Sequence, residues 1–191
     1  MNHLDQESPR DLEIEIQNVV ASVTLDQSFD LLDIVKKYRN VEYNPKKFPG
    51  LVFRLRDPQT TTLIFSTGKM VCTGAKSSKM AKLAVKRVVE ELNRNGIEVK
   101  GEPQITIQNM VASANLGRNV DLETAADLLE NVMYEPEQFP GLIYRMREPK
   151  TVLLIFSSGK IVCTGGKSEE MVHESVNNLY DLLDDYALFY E

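Results

Sequence analysis

A chain of 191 residues with 42% hydrophobic and 26% charged side chains fits one large domain or two small ones and excludes a weakly hydrophobic disordered segment. Its longest uncharged apolar runs, such as Val152 to Phe156, fall far short of the roughly 20 residues of a membrane-spanning helix, and no signal-peptide pattern opens it. A soluble intracellular protein without a membrane partner is expected. The net charge of −6 argues against a polyanion partner only until it is divided: residues 1–100 carry 16 basic and 13 acidic side chains, whereas 101–191 carry 6 and 15.

In chain order, residues 1–12 read as a short extension, and Glu13 to Thr24, rich in Ile and Val, as a strand. Ser28 or Asp26 can cap a helix that carries Leu31, Ile34, Val35 and Tyr38 at helical spacing. Leu51 to Arg56, Thr60 to Ser66 and Lys69 to Thr73 are β-favouring runs divided by the turn signals Asp57-Pro58 and Thr67-Gly68, so hairpins are predicted. Ser77 then caps a helix with Met80, Ala84, Val88 and Leu92 on one side, closing at Asn95-Gly96. From residue 101 the order starts again: Asn119 or Asp121 opens a short helix, and Ser168 a last one striped with Met171, Val172, Val176, Leu179 and Leu183.

The second pass is a copy of the first. Ile16-Gln17-Asn18 recurs as Ile107-Gln108-Asn109, Phe48-Pro49-Gly50-Leu51 as Phe139-Pro140-Gly141-Leu142, and Leu63-Ile64-Phe65-Ser66 as Leu154-Ile155-Phe156-Ser157, each at a constant shift of 91 residues. Val71-Cys72-Thr73-Gly74 and Val162-Cys163-Thr164-Gly165 keep that shift. A repeat of this length defines two structural units, 13–100 and 101–191, the second with an acidic C-terminal tail. The only two cysteines, Cys72 and Cys163, are therefore equivalents and read as small core residues. With His3 and His173 as the only histidines, no zinc-type ligand cluster assembles, and no cofactor or metal is expected.

The strands do not alternate apolar with polar as a sheet covered on one side requires. If Ile64, Met70 and Cys72 face the helices, Leu63, Phe65, Val71 and Thr73 lie on the opposite side. Two helices per unit are too few to cover both faces, so one apolar face is left for a partner, unless a two-sided core or a dimer hides it. The strands are also cationic. Arg54, Arg56, Lys69 and Lys76 stand against Asp57 alone, and Arg145, Arg147, Lys150, Lys160 and Lys167 against Glu148. An apolar sheet rimmed by cations suits a flattened groove with phosphates at its edges.

On these duplicated segments the chain closely resembles the TATA-binding protein family, the general transcription initiation factors of archaea and eukaryotes, from about Glu13 to Tyr180. The absence of a long low-complexity extension and the acidic end look more like the archaeal branch; the resemblance implies a nucleoid-associated cytoplasmic protein there, or a nuclear one if eukaryotic. It implies an α+β saddle of ten antiparallel strands with four helices on the convex side. Minor-groove binding by apolar wedges is the mechanism for which this family is known. Carried over, Phe48 and Phe65 with Phe139 and Phe156 resemble the pairs that enter base steps. Asn18 and Asn109, flanked by Thr73 and Thr164, resemble the central donors to groove acceptors. Val20, Val71, Val111 and Val162, with Leu63 and Leu154, would pack on the opened groove, and Arg54, Lys69, Lys76, Arg145, Lys160 and Lys167 would meet phosphates. Glu135, Glu137 and Gln138 resemble the loop that receives transcription factor B, which with RNA polymerase completes the initiation assembly.

Catalysis finds no support: there is no phosphate-binding glycine loop, no histidine placed twice in the repeat, and no histidine partner for either cysteine. The alternative to DNA binding is a protein-interaction or self-dimerising module that uses the same exposed face.

Overall fold

The structure, a computed structural model, describes residues 11–191; all but the last two residues of the expected extension lie outside that range. In the first pass β1 (Glu13–Thr24) leads to α1 (Leu31–Lys37), then β2 (Val41–Glu42), β3 (Leu51–Arg56), β4 (Gln59–Ile64), β5 (Lys69–Ala75) and α2 (Ser78–Arg94). The second gives β6 (Gln104–Asn115), α3 (Leu122–Leu128), β7 (Val132–Met133), β8 (Leu142–Met146), β9 (Thr151–Ile155), β10 (Lys160–Gly166) and α4 (Glu169–Asp185). The ten strands are hydrogen-bonded in the order β2-β3-β4-β5-β1-β6-β10-β9-β8-β7. The hairpins are antiparallel, with Leu63 opposite both Val52 and Val71, and Leu154 opposite Ile143.

Packing gathers the described residues into two compact units, one of Ile16–Ala112 with Thr164–Val172, the other of Ser113–Cys163 with His173–Glu191 and residues 11–15. The divisions fall inside β1, β6, β10 and α4, elements long enough to contribute to both. In the first unit Val19, Ala21 and Val23 of β1, Ile64 of β4, and Met70 and Cys72 of β5 are buried, as are Ala81, Ala84, Val85, Val88 and Leu92 of α2. α2 packs on β4 and β5, and its two buried alanines, Ala81 and Ala84, allow close approach. In the other unit Leu142, Leu153, Ile155, Ile161 and Cys163 are buried, with Val176, Leu179 and Leu183 of α4. Each large apolar side chain so buried contributes about 1.5–3 kcal/mol.

Ser77 caps α2, its hydroxyl accepting from the Met80 N–H at 3.0 Å, and Ser168 does the same for α4 through Met171 at 3.1 Å. Asn95 ends α2, and Gly96 follows at φ +83, the left-handed conformation that glycine adopts without a Cβ penalty. α1 departs from expectation. Its cap is Asp30, not Ser28 or Asp26, and accepts from the Leu32 and Asp33 N–H groups at 3.1 and 3.3 Å. The cause lies one residue earlier: Phe29 is buried and its N–H donates to the Ser66 carbonyl at 2.9 Å, which holds the chain out of helix until Asp30. Leu31 and Ile34 form the buried stripe of α1, Val35 is exposed, and Tyr38 is the C-cap, its ring edge-on to Phe53 at 5.2 Å.

The acidic residues near the C-terminus belong to α4 as far as Asp185. The residues after them are largely aromatic and fold back: Leu188 and Phe189 are buried, and Phe189 forms a β-bridge with Val120. The expected acidic tail is therefore an acidic helix followed by an apolar strap. Among the described residues no helix is long and apolar enough to cross a membrane.

Candidate nucleic-acid interface

Strand pleat divides the side chains as the sequence suggests. While Val19, Ala21, Ile64, Met70 and Cys72 are buried, their alternates Asn18, Val20, Leu63, Phe65, Val71 and Thr73 are only half-buried. The same holds for Asn109, Val111 and Thr164, and in the other unit for Leu154, Phe156 and Val162. Every apolar or amide side chain expected to face a ligand therefore retains accessible surface. An apolar face kept partly in contact with solvent has the composition of a surface that a partner covers.

The phenylalanines come together in pairs. Phe48 and Phe65 sit with ring centroids 5.9 Å apart at 70°, and Phe139 and Phe156 repeat both values. This edge-to-face arrangement is a favourable aromatic geometry and fixes each ring against its partner. Phe48 and Phe139 remain 43% and 38% exposed, a large unburied area for residues of this size. What makes the pairing possible is a residue the sequence reading passed over. A Cβ on Gly50 would fall 2.7 Å from Phe48 Cε1 and 3.0 Å from Phe65 Cε1, and on Gly141 2.8 and 3.1 Å from the equivalent atoms. The glycine of Phe-Pro-Gly is thus the seat of the ring pair, and its place in both copies was the available signal.

The two asparagines are oriented by their surroundings. Asn18 Oδ1 accepts from the Gly74 N–H at 2.7 Å, and its Nδ2 lies 3.1 Å from Thr73 Oγ1. Asn109 repeats this with Gly165 at 2.7 Å and Thr164 at 3.3 Å. Because a backbone N–H must face an oxygen, the amide cannot flip, and its NH2 is left as the donor end. Gly74 and Gly165 adopt φ of +98 and +92, and the β1–β5 register shifts between Val19 and Ala21; this irregularity brings the Gly74 N–H to the asparagine.

Beside the rings run two equivalent open grooves. Ser22, Thr24, Phe65, Lys69 and Val71 line one of about 550 Å³, and Ser113, Asn115, Phe156, Lys160 and Val162 line one of about 900 Å³. Lys69 and Lys160 are exposed at their rims. Of the other cations, three have internal partners. Lys76 donates to the Gln17 carbonyl at 2.8 Å, and Lys167 donates to that of Gln108. Arg54 pairs with Glu42 at 2.9 Å, whereas the residue equivalent to Glu42 is Met133, so exposed Arg145 has no such carboxylate. Exposed pairs of this kind are worth about 0–1 kcal/mol, weak enough for a phosphate to displace.

The loops before each Phe-Pro-Gly share one backbone and differ in charge. Phe48 N–H donates to the Asn44 carbonyl and Phe139 N–H to that of Glu135, both at 3.0 Å. The first turn exposes Lys46 and Lys47, the second Glu135, Glu137 and Gln138. The cysteines stay away from this surface: both are buried, and burial pushes the Cys163 thiol up to about 11, so both remain protonated and unreactive at neutral pH.

The family model described as transcription factor TFIID, or TATA-binding protein, matches residues 13–95 and again 104–186. A TATA-box-binding protein of Sulfurisphaera tokodaii is 57% identical over 177 residues, covering 93% of this chain and 89% of that protein. One of Pyrodictium occultum is 60% identical over 168 residues, covering 88% and 84%. The solved structure of Methanococcus jannaschii TBP superposes with a TM-score of 0.83 at 47% identity, covering 91% of this chain and 99% of that one. Two matches to one family model, relatives mostly archaeal, and a shared fold carry one conclusion: this chain belongs to the TATA-binding protein family.

Proposed function

We propose that this protein is a general transcription factor that recognises an A·T-rich TATA box through the minor groove, kinks it, and receives transcription factor B and RNA polymerase on the bent DNA. The observation that carries the reading is the pair of seated phenylalanine couples, equivalent in the two repeats, beside a half-exposed apolar face. A rigid ring without a polar group can enter a base step and replace part of the stacking it disrupts, a cost of a few kcal/mol per step. Asn18 and Asn109 present donors to the N3 and O2 acceptors that A·T pairs leave open. Val20, Val71, Val111, Val162, Leu63 and Leu154 pack on the groove floor, where the guanine amino group would clash. Lys69, Lys160 and Arg145 meet phosphates directly; Arg54, Lys76 and Lys167 do so after exchanging their internal partners. Flexible TA steps lower the cost of the kink and add indirect readout.

The acidic loop of Glu135, Glu137 and Gln138 suits a basic surface on transcription factor B, and its basic counterpart at Lys46 and Lys47 makes the two ends unequal, giving assembly a direction. Changing Glu135 and Glu137 to Lys is expected to weaken recruitment of the factor to the protein–DNA complex while leaving binary DNA binding intact; equal loss of both would contradict it. Without DNA the apolar face favours self-association, so a homodimer that dissociates as duplex is added is expected in sedimentation. A gel-shift competition tests the main reading. An A·T-rich duplex is expected to compete far better than a G·C-rich one at two salt concentrations, and equal competition would refute it.

A further inference from the structure

Each wedge phenylalanine near the hairpin turn, Phe65 and Phe156, depends on a loop that is itself held from behind. In the unit containing Phe156, the chain from Leu116 to Val120 lies against the turn between β9 and β10. The Leu116 N–H donates to the Gly159 carbonyl and the Val120 N–H to the Ser157 carbonyl, both at 2.9 Å. The Arg118 carbonyl lies so close to Gly159 that a Cβ there would meet it at 2.2 Å. On the far side of the same loop sits the C-terminal strap. The Asp121 N–H donates to the Leu188 carbonyl at 2.8 Å and the Tyr190 N–H to the Asn119 carbonyl at 2.9 Å. Arg118 closes the stack: its guanidinium carbon is 4.3 Å from the Phe189 ring centroid, and its Nη1 is 3.3 Å from Asp184 Oδ1. Phe189 in turn meets the Tyr180 ring, centroids 5.0 Å apart and planes tilted by 42°.

The first repeat solves the same problem with different chemistry. Gln27, the equivalent of Arg118, uses its side-chain amide as a two-way clasp on the segment after α2, Nε2 donating to the Glu98 carbonyl at 2.9 Å and Oε1 accepting from the Lys100 N–H at 2.7 Å. The Gln27 carbonyl lies 2.0 Å from where a Cβ of Gly68 would stand, and the Phe29 N–H donates to the Ser66 carbonyl at 2.9 Å. The inter-repeat linker and the C-terminal strap thus occupy equivalent places behind equivalent wedge turns.

We infer that Arg118 and Gln27 are positioning residues, each clasping the segment that follows a long helix so that the turn bearing Phe156 or Phe65 is held at a fixed height for entry into a base step. This rests on the wedge role proposed above. The two clasps differ in a way an experiment can use: one is a cation held by an aromatic ring and a carboxylate, the other a neutral amide on backbone groups.

The test uses the full chain with Arg118→Ala, Arg118→Lys, Phe156→Ala and the Arg118→Ala/Phe156→Ala double variant. It reads amide hydrogen exchange without DNA and bending of a doubly labelled A·T-rich duplex by energy transfer. Arg118→Ala is expected to speed exchange at the Leu116 and Val120 amides by roughly tenfold while Leu179 in α4 keeps its protection, and to reduce bending. Arg118→Lys, which keeps a charge beside Asp184 but not a planar group on Phe189, is expected to fall between wild type and Arg118→Ala. The double variant is expected to bend no worse than Phe156→Ala alone, since Arg118 acts through that ring. Unchanged exchange at Leu116 and Val120, or bending losses that add in the double variant, would overturn the inference. Wild-type bending by Phe156→Ala would instead overturn the wedge role, and with it the reason for the clasp, even if exchange responds.

Discussion

At the scale of single residues, the proposed interface depends on side chains and on the glycines that seat them. Gly141 is the sharpest case. Replacing it with Ala places a methyl group 2.8 Å from Phe139 Cε1 and 3.1 Å from Phe156 Cε1, so the ring pair must shift. Gly141→Ala is expected to reduce DNA bending and weaken A·T-rich binding by about tenfold, on the order of 1.4 kcal/mol, through displaced wedges. Energy transfer across a labelled duplex checks this, and a wild-type bend would show that the pair geometry does not matter. The half-exposed placement of Phe65, Phe156, Asn18 and Asn109 was legible because these residues recur at a fixed shift. Their supports were not, since a glycine in sequence gives no sign of whether it bounds a turn, as Gly68 does, or makes space for a ring. Glu42 was equally hidden: only the pairing of β2 with β3, which sets Glu42 opposite Val52 beside Arg54, brings the carboxylate to the guanidinium.

At the scale of elements, periodicity and caps predict long pieces well and short ones poorly. α2 and α4 announce themselves by capping serines and an apolar stripe, whereas α1 has seven residues, too few for a stripe to fix its start, and tertiary contacts of Phe29 decide it. β2 and β7, two residues each, lie below any sequence signal and exist because β3 and β8 offer an edge. The start of α4 also has a role toward α2. Glu169 Oε1 accepts from the Ser78 N–H at 2.9 Å and both its oxygens lie about 3 Å from Ser78 Oγ; these bonds, the backbone one foremost, hold the Glu169 carboxyl below its ordinary value. Since the folded value lies below the unfolded one, near 4.3, the stabilisation is present above about that pH and is lost as pH falls through the lower folded value. Urea unfolding at pH 7 and about pH 3 is expected to show a larger advantage of wild type over Glu169→Gln at the higher pH. An equal difference at both would contradict the assignment.

At the scale of the whole molecule, two repeats of one unit place the same residue types at matching positions and differ most in the charge around them. Arg54, Lys69, Arg145 and Lys160 stand on strands while many of the second repeat's acids lie on α3 and α4, so a net charge of −6 does not by itself exclude a polyanion partner. Lys160→Ala is expected to lower the salt slope of DNA binding by roughly one unit and to weaken all sequences similarly; a sequence-selective loss would contradict a phosphate role. The most direct test of the account concerns the four rings together. Energy transfer across a doubly end-labelled A·T-rich duplex, compared between wild type and the Phe48→Ala/Phe65→Ala/Phe139→Ala/Phe156→Ala variant, is expected to report a sharply bent duplex with the first and a straight, weakly held one with the second. A variant that still binds and bends the duplex as wild type does would contradict it.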